Sequence, residues 1–443
     1  MKGPLSSLKV LDFSTLLPGP FASLLLADMG ADVLRVESPG RMDLVRVLPP
    51  HVDGTSASHA YLNRNKRSIG LDLKRQGARE VVLELVREYD IVLEQFRPGV
   101  MDKLGVGYEA LKAANPRLIY VAITGYGQTG PYRERAGHDI NYLALAGVAS
   151  YTGRRERGPL PLGVQLADLA GGSLHGVMGL LAAVIHRQQT GEGQFVDISM
   201  TDCAFSLNGM AGAGYLAAGV EPEMEALALN GGSFYDYYRT RDGRWFSVGS
   251  LEPQFMQQFC AAIGRPELAA RGLSPKPEEQ RALKREIEME FEKRDFAEWQ
   301  AVFAALDACV EPLLPLSEAL EHPQLQARGL VARVPLADGG SQAQMACPIK
   351  FSAGLPAPRH IGAALGADLA QSMIVVAWNL AIAGGGALGG MVLQRWGSEM
   401  LPWTLLPLIG LAAVLVWGNA AHAFRVGPRD FRRASSEHRK AAQ

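Results

Sequence analysis

Cysteine is scarce and scattered in this chain. Cys203, Cys260, Cys309 and Cys347 are the four present, and no two stand at CxxC spacing. That excludes a disulfide framework and a structural zinc site, and it implies reduced thiols in a cytoplasmic setting. Neither sign of charge is in excess: 44 Lys and Arg against 45 Asp and Glu leave a net charge of −1. Nucleic acid is therefore not an expected partner, and an anionic ligand must be held by a local patch. No GxGxxG opens a helix after the first strand and no GxxxxGK[ST] occurs, so nicotinamide dinucleotide and P-loop readings lack their phosphate cradle. His and Cys clusters at ligand spacing are missing, and no metal is expected. The opening Met1-Lys2-Gly3-Pro4 leads into an alternating segment without an apolar h-region, so a secretory signal is not expected. Apolar residues, in contrast, make up 48% of the 443 positions, enough for a sizeable core.

That apolar content follows an α/β rhythm at first. Leu8–Phe13 reads as a strand, Pro18-Gly19-Pro20 as a turn, Phe21–Met29 as a helix and Ala31–Val36 as a second strand, which is one βαβ unit. The alternation recurs through Ser68–Leu73, Ala78–Glu88, Ile91–Glu94 and Leu118–Thr124, predicting a mostly parallel sheet covered on both faces. From Leu174 to His186 the residues are small and apolar, predicting a buried helix. After Glu221 the pattern changes. Phe234–Val248 reads as a hairpin turning at Asp242-Gly243, helices follow over Gln254–Ile263 and Phe296–Leu306, and the charged run Pro277–Arg294 reads as a solvated face. The predicted organisation is a large α/β domain over 1–220, a small α+β domain over 221–330 and a return segment over 331–367.

Residues 368–443 are of another kind. No charged residue lies between Asp368 and Arg395, nor between Glu399 and Arg425, and each stretch exceeds the ~20 apolar residues of a membrane-spanning helix. Six Lys and Arg against two acids follow from Arg425 onward. The positive-inside rule then predicts a hydrophobic α-helical hairpin, 372–394 and 400–424, with both ends inside, tethering the protein to the inner face of a membrane. Around Asp368–Ser372 and Trp378–Ala383 this tail resembles the last two transmembrane helices of major facilitator transporters of the sugar-efflux type. Two helices transport nothing alone, so the resemblance implies a fused fragment.

Several polar residues stand where apolar ones would be expected. Asp168 precedes the small apolar run, where a carboxylate is costly unless it is used or paired; it is either a functional acid or the N-cap of that helix. His138 lies in the polar segment Gly137–Tyr142, either as an ordinary hydrogen-bonded histidine or as a proton carrier. Glu252, before Pro253, suits the start of a helix with or without a role in chemistry. Arg64, Lys66, Arg67, Lys74 and Arg97 form a basic set able to hold a polyphosphate, or a solvated edge.

Taken together, Pro18–Val33, Asn63–Lys74, Gly137–Tyr142, Asp168–Gly172 and Leu251–Phe255 resemble the family III CoA transferases, on the branch of the α-methylacyl-CoA racemases, over residues 1–367. The resemblance implies a Rossmann-like large domain plus a small α+β domain in an interlocked homodimer. It implies an acyl-CoA thioester as substrate, with CoA part of the substrate and no separate cofactor. Matched by position, His138 and Asp168 correspond to two proton-transferring residues and Glu252 to a supporting acid. Leu71, Asp72, Leu73, Lys74, Arg97, Gly137, His138, Asp139, Ile140, Asn141 and Tyr142 correspond to positions lining the CoA site. The implied reaction is racemisation of 2-methylacyl-CoA, the α-proton leaving one face of Cα and returning to the other. Backbone N–H groups near Asp168–Gly171 are available to hold the enolate oxygen. Two alternatives stay open. One is CoA transfer with Asp168 as nucleophile, against which Leu17 stands where transferases have Gln and Gly231-Gly232 is a short glycine loop. The other is an inactive fusion product. Ser38, where racemases place an arginine, weakens the expected adenine contact.

Overall fold

In the computed structural model, which describes residues 2–367, six short runs rich in Val, Ile and Leu form one sheet. They are β1 (Lys9–Asp12), β2 (Asp32–Glu37), β3 (Arg67–Gly70), β4 (Ile91–Glu94), β5 (Ile119–Thr124) and β6 (Phe195–Ser199). Every pairing is parallel and the order is β6-β5-β4-β1-β2-β3. The chain therefore builds outward from β1 through β2 to β3, then crosses back to lay β4 on the other side of β1. The reversal opens a crevice beyond the carboxyl ends of β1 and β4, the place where doubly wound sheets take their ligands.

Alternate residues of each strand face opposite sides, and both sides are covered. On one, Val10, Val33, Ile91 and Val121 pack against α1 (Pro18–Asp28) and α4 (His175–Thr190). On the other, Leu11, Leu34, Val92 and Ala122 pack against Val82 and Val86 of α2 (Ala78–Glu88). The expected turn at Pro18-Gly19-Pro20 is instead the first turn of α1, where a proline's missing N–H needs no partner. Two shorter helices complete this part, α3 (Asp139–Leu145) and α5 (Met200–Ser206).

The small α+β part has its own core. The expected hairpin is present as β7 (Asp236–Arg239) and β8 (Trp245–Val248), and β9 (Val310–Pro312) adds to it antiparallel. Around it lie α6 (Pro253–Ala262), α7 (Pro277–Phe291) and α8 (Phe296–Phe303). The charged run expected to be a solvated face has a buried stripe: Leu283, Ile287 and Phe291 of α7 face inward. Phe291 stacks among Phe246, Phe303 and Trp299, and the Trp299 indole donates to the Phe291 carbonyl at 2.9 Å. The return segment forms the hairpin β10 (Val331–Pro335) and β11 (Ser341–Met345).

The expected tail hairpin and its membrane tether fall outside the described residues. Within them, the run Ala167–Thr190 is the single helix long and apolar enough to cross a bilayer by length and composition. It instead lies close on the sheet: a Cβ at Gly172 would come within 3.2 Å of Ile123 Cγ2 and 3.0 Å of Pro18 Cβ.

Candidate active site

The residues following β1, β4 and β5 converge on a cavity of about 410 Å³ at the crevice between β1 and β4. Leu16 and Pro18 supply one side, Gln95–Pro98 a second and Ile123–Tyr126 a third. The loop geometry is set from below. Asp12, wholly buried at the end of β1, accepts from the Ser14 N–H at 2.8 Å and from Ser23 Oγ at 2.5 Å. Gln95 Oε1 accepts from the Gly19 N–H at 2.8 Å, locking the start of α1 to the loop after β4.

His138 reaches the cavity because it caps α3 in extended conformation. Asn141 Oδ1 accepts from its N–H at 3.0 Å, and Tyr142 Oη donates to the Gly137 carbonyl at 2.6 Å. The Tyr126 ring stands edge-on to those of Tyr132 and Tyr142, completing a rigid aromatic wall. Asp168 reaches the same cavity from a π-helical turn (Ala167–Leu174) that runs into α4. Such turns are rare and concentrate at functional sites. Ser173, fully buried, donates from Oγ to the Pro18 carbonyl at 2.6 Å and lies 3.2 Å from that of Asp168. Removing that hydroxyl takes one hydrogen bond from the Pro18 carbonyl at the start of α1. Ser173→Ala is expected to lower stability by about 0.5–1.5 kcal/mol, read as a shift of the urea midpoint at constant m-value; an unmoved midpoint would refute this account of the Ser173 bond.

Burial first, and then the charge of Asp139, raise the Asp168 carboxyl from its ordinary range to about 6, with His138 acting in the other direction. At about 6 the carboxyl takes up its proton closer to neutrality than an ordinary aspartate does. Burial and the nearby Asp168 charge push the Tyr142 phenol up to about 12, so Tyr142 remains a neutral donor.

Of the residues singled out from sequence, Arg97, Gly137, His138, Asn141, Tyr142 and Asp168 meet on this one cavity. Asp139 and Ile140 line an adjoining apolar cavity of about 450 Å³ that shares His138 with the first. Leu71, Asp72, Leu73 and Lys74 follow the edge strand β3 and line neither. Glu252 is exposed at the N-terminus of α6 and lies outside both. The basic set divides. Arg64 and Lys66 are about 1% exposed and held internally, Arg64 by Asp28 and Lys66 by the Pro20 carbonyl and Asn63 Oδ1; Arg67 pairs with Asp32. They are structural, and of that set Arg97 alone reaches the cavity. Two cations not anticipated, Arg133 and Arg135, line it as well. Their polar segment held the only hint, since nothing local distinguishes them from surface arginines. Of the backbone N–H groups at Asp168–Gly171 expected to hold an oxyanion, two are occupied: that of Asp168, like that of Ala167, donates to Asp139 Oδ1, and that of Leu169 to the Gln165 carbonyl.

Comparisons with known proteins bear on this arrangement. A family model described as CoA-transferase family III matches residues 5–368. The chain is 38% identical to the human alpha-methylacyl-CoA racemase over 331 residues, covering 73% of this chain and 81% of that one. It is 34% identical to the acetyl-CoA:oxalate CoA-transferase of Acetobacter aceti over 337 residues, covering 75% and 86%. A crystal structure of a CAIB/BAIF family protein from Brucella suis superposes with a TM-score of 0.73 at 32% identity, covering 84% of this chain and all of that one.

Proposed function

This chain belongs to CoA-transferase family III, and on that premise we propose that it interconverts the (R) and (S) forms of 2-methylacyl-CoA thioesters. It is an enzyme of that superfamily; the racemase reaction is the finer reading. The observation that carries it is the pairing of His138 and Asp168 on one cavity, an imidazole and a carboxylate displaced toward neutral pH. The thioester carbonyl acidifies the α-hydrogen. One of the two groups removes it to form an enolate and the other delivers a proton to the opposite face, each serving as base in one direction and acid in the other. The guanidiniums of Arg97, Arg133 and Arg135, with Arg135 stacked on the Tyr132 ring at 4.4 Å, supply the local positive patch that CoA phosphates require and a net charge of −1 does not.

Glu252 lies outside the cavity of its own chain, so in this reading it acts from a second copy, and a homodimer is part of the proposal. The second reading is CoA transfer through Asp168, favoured by the similar identity to a CoA-transferase. The test is incubation of the protein with (S)-2-methylacyl-CoA in D₂O. Deuterium at Cα with loss of configuration supports the racemase. Retained hydrogen with CoA passing to an added carboxylate replaces it with the transferase, and neither outcome leaves the inactive fusion product.

A further inference from the structure

We propose that Asp139 is a positioning residue that joins the two proton-transfer groups into one unit: it is the chain neighbour of His138, and its carboxylate caps the π-turn that carries Asp168. This role rests on the reading in which His138 and Asp168 exchange the α-proton. An aspartate in the first turn of a helix ordinarily serves that helix. Here Oδ1 reaches 28 residues along the chain instead, accepting from the Ala167 N–H at 2.6 Å and the Asp168 N–H at 3.1 Å. Those are N–H groups at the start of a helical segment, which have no carbonyl one turn back to bond. One half-buried carboxylate oxygen takes both and so sets where the Asp168 backbone stands relative to α3.

The far side of the same turn is fixed by Ser173 and by His175, whose Nδ1 lies 2.6 Å from the Ala170 carbonyl. A π-helical turn pinned at both ends cannot relax to an α-helix without moving its acid. Asp139 thus does two separable things. Its oxygen holds position, and its charge raises the proton affinity of Asp168. Asparagine at 139 keeps an acceptor and loses the charge, whereas alanine loses both.

The groups around Asp168 are few enough to name. From α3 come Asp139, His138 and, one turn on, Tyr142; Tyr126 closes the aromatic wall; Arg97, Arg133 and Arg135 line the rest of the cavity. The packed α5 carries Asp202 and Cys203, and His175 begins α4. Asp139 is the one anionic group among them that acts on Asp168, so removing its charge makes the ionised carboxylate less costly. The base form then persists to lower pH, although burial still holds it above an ordinary aspartate.

The decisive measurement is the pH profile of α-deuterium exchange, with kcat and KM for 2-methylacyl-CoA, in wild type, Asp139→Asn and Asp139→Ala. Asp139→Asn is expected to keep most of the neutral-pH rate while its acidic limb moves below the wild-type limb at about 6. Asp139→Ala is expected to lose kcat by about 10²-fold with KM little changed, the cost of a misplaced acid. The Asn variant is nearly isosteric, so its profile decides the matter even where the Ala variant folds poorly. An unmoved acidic limb in Asp139→Asn, or an unchanged kcat in a folded Asp139→Ala, overturns the role while leaving the racemase reading intact. A wild type that exchanges no α-hydrogen overturns that reading, and this role with it.

Discussion

Replacing Asp168 by Asn is expected to depress α-hydrogen exchange on 2-methylacyl-CoA by about 10²–10⁴-fold, and His138→Ala by a similar factor, the usual contribution of a positioned acid or base. Both variants should still bind CoA, because the arginines on the cavity are untouched and neither residue is part of a core cluster. The two losses should not multiply in the double variant, since each deletion alone already stops the two-sided relay. The wild type should lose activity as pH falls through about 6, where Asp168 takes up its proton and ceases to be a base. Stability runs the other way for this group. The folded state binds that proton more tightly than an unfolded aspartate at 3.8 does, so the contribution of Asp168 to stability improves as pH falls from about 6 toward 4. An acidic limb in activity without a matching loss of fold is thus the expected signature, measured by exchange rate and circular dichroism on the same samples. Full exchange in Asp168→Asn would remove Asp168 from the chemistry.

The largest stability effect is expected at a pair that resembles a ligand site in sequence. Asp28, at the end of α1, accepts from Arg64 Nε at 2.9 Å, Arg64 Nη2 at 2.5 Å and Asn65 Nδ2 at 2.9 Å. Arg64 Nη1 continues to the Met345 carbonyl at 2.6 Å and Gln344 Oε1 at 3.2 Å. The guanidinium is therefore the link by which α1 holds β11 of the return segment. Asp28→Ala leaves it buried and unpaired, and about 3–5 kcal/mol of stability should be lost. Arg64→Lys should lose much of the same, because an ammonium cannot fill a two-pronged carboxylate contact and two further acceptors. The double variant Asp28→Leu, Arg64→Met should recover part of the loss, since no charge then remains unpaired. Urea midpoints for the four proteins check this, and a tolerated Asp28→Ala would mean that water reaches the guanidinium.

Arg64 shows where reading the chain alone fails. Asn63-Arg64-Asn65-Lys66-Arg67 is a basic run, and a basic run suggests an anion; its partners Asp28 and Asp12 lie on other elements, so local pattern cannot reveal that the charges are already satisfied. The same limit applies to Glu252, whose place before a proline predicts a helix start correctly but not that it lines neither cavity of its own chain. It applies again to Asp139, whose role depends on which N–H groups 28 residues away approach it. Periodicity and local composition did suffice for the strands β1, β2, β4 and β5 and for the parallel, doubly covered sheet, because side-chain alternation and apolar runs are properties of a few neighbouring residues. For His138 and Asp168 local composition marks only candidates, each with an ordinary structural alternative, and their pairing as proton-transfer groups rests on the resemblance to the family. That these two face one cavity depends on strand order: β4 crosses back beside β1, opening the crevice on which the loops converge, and no window of sequence contains that crossing.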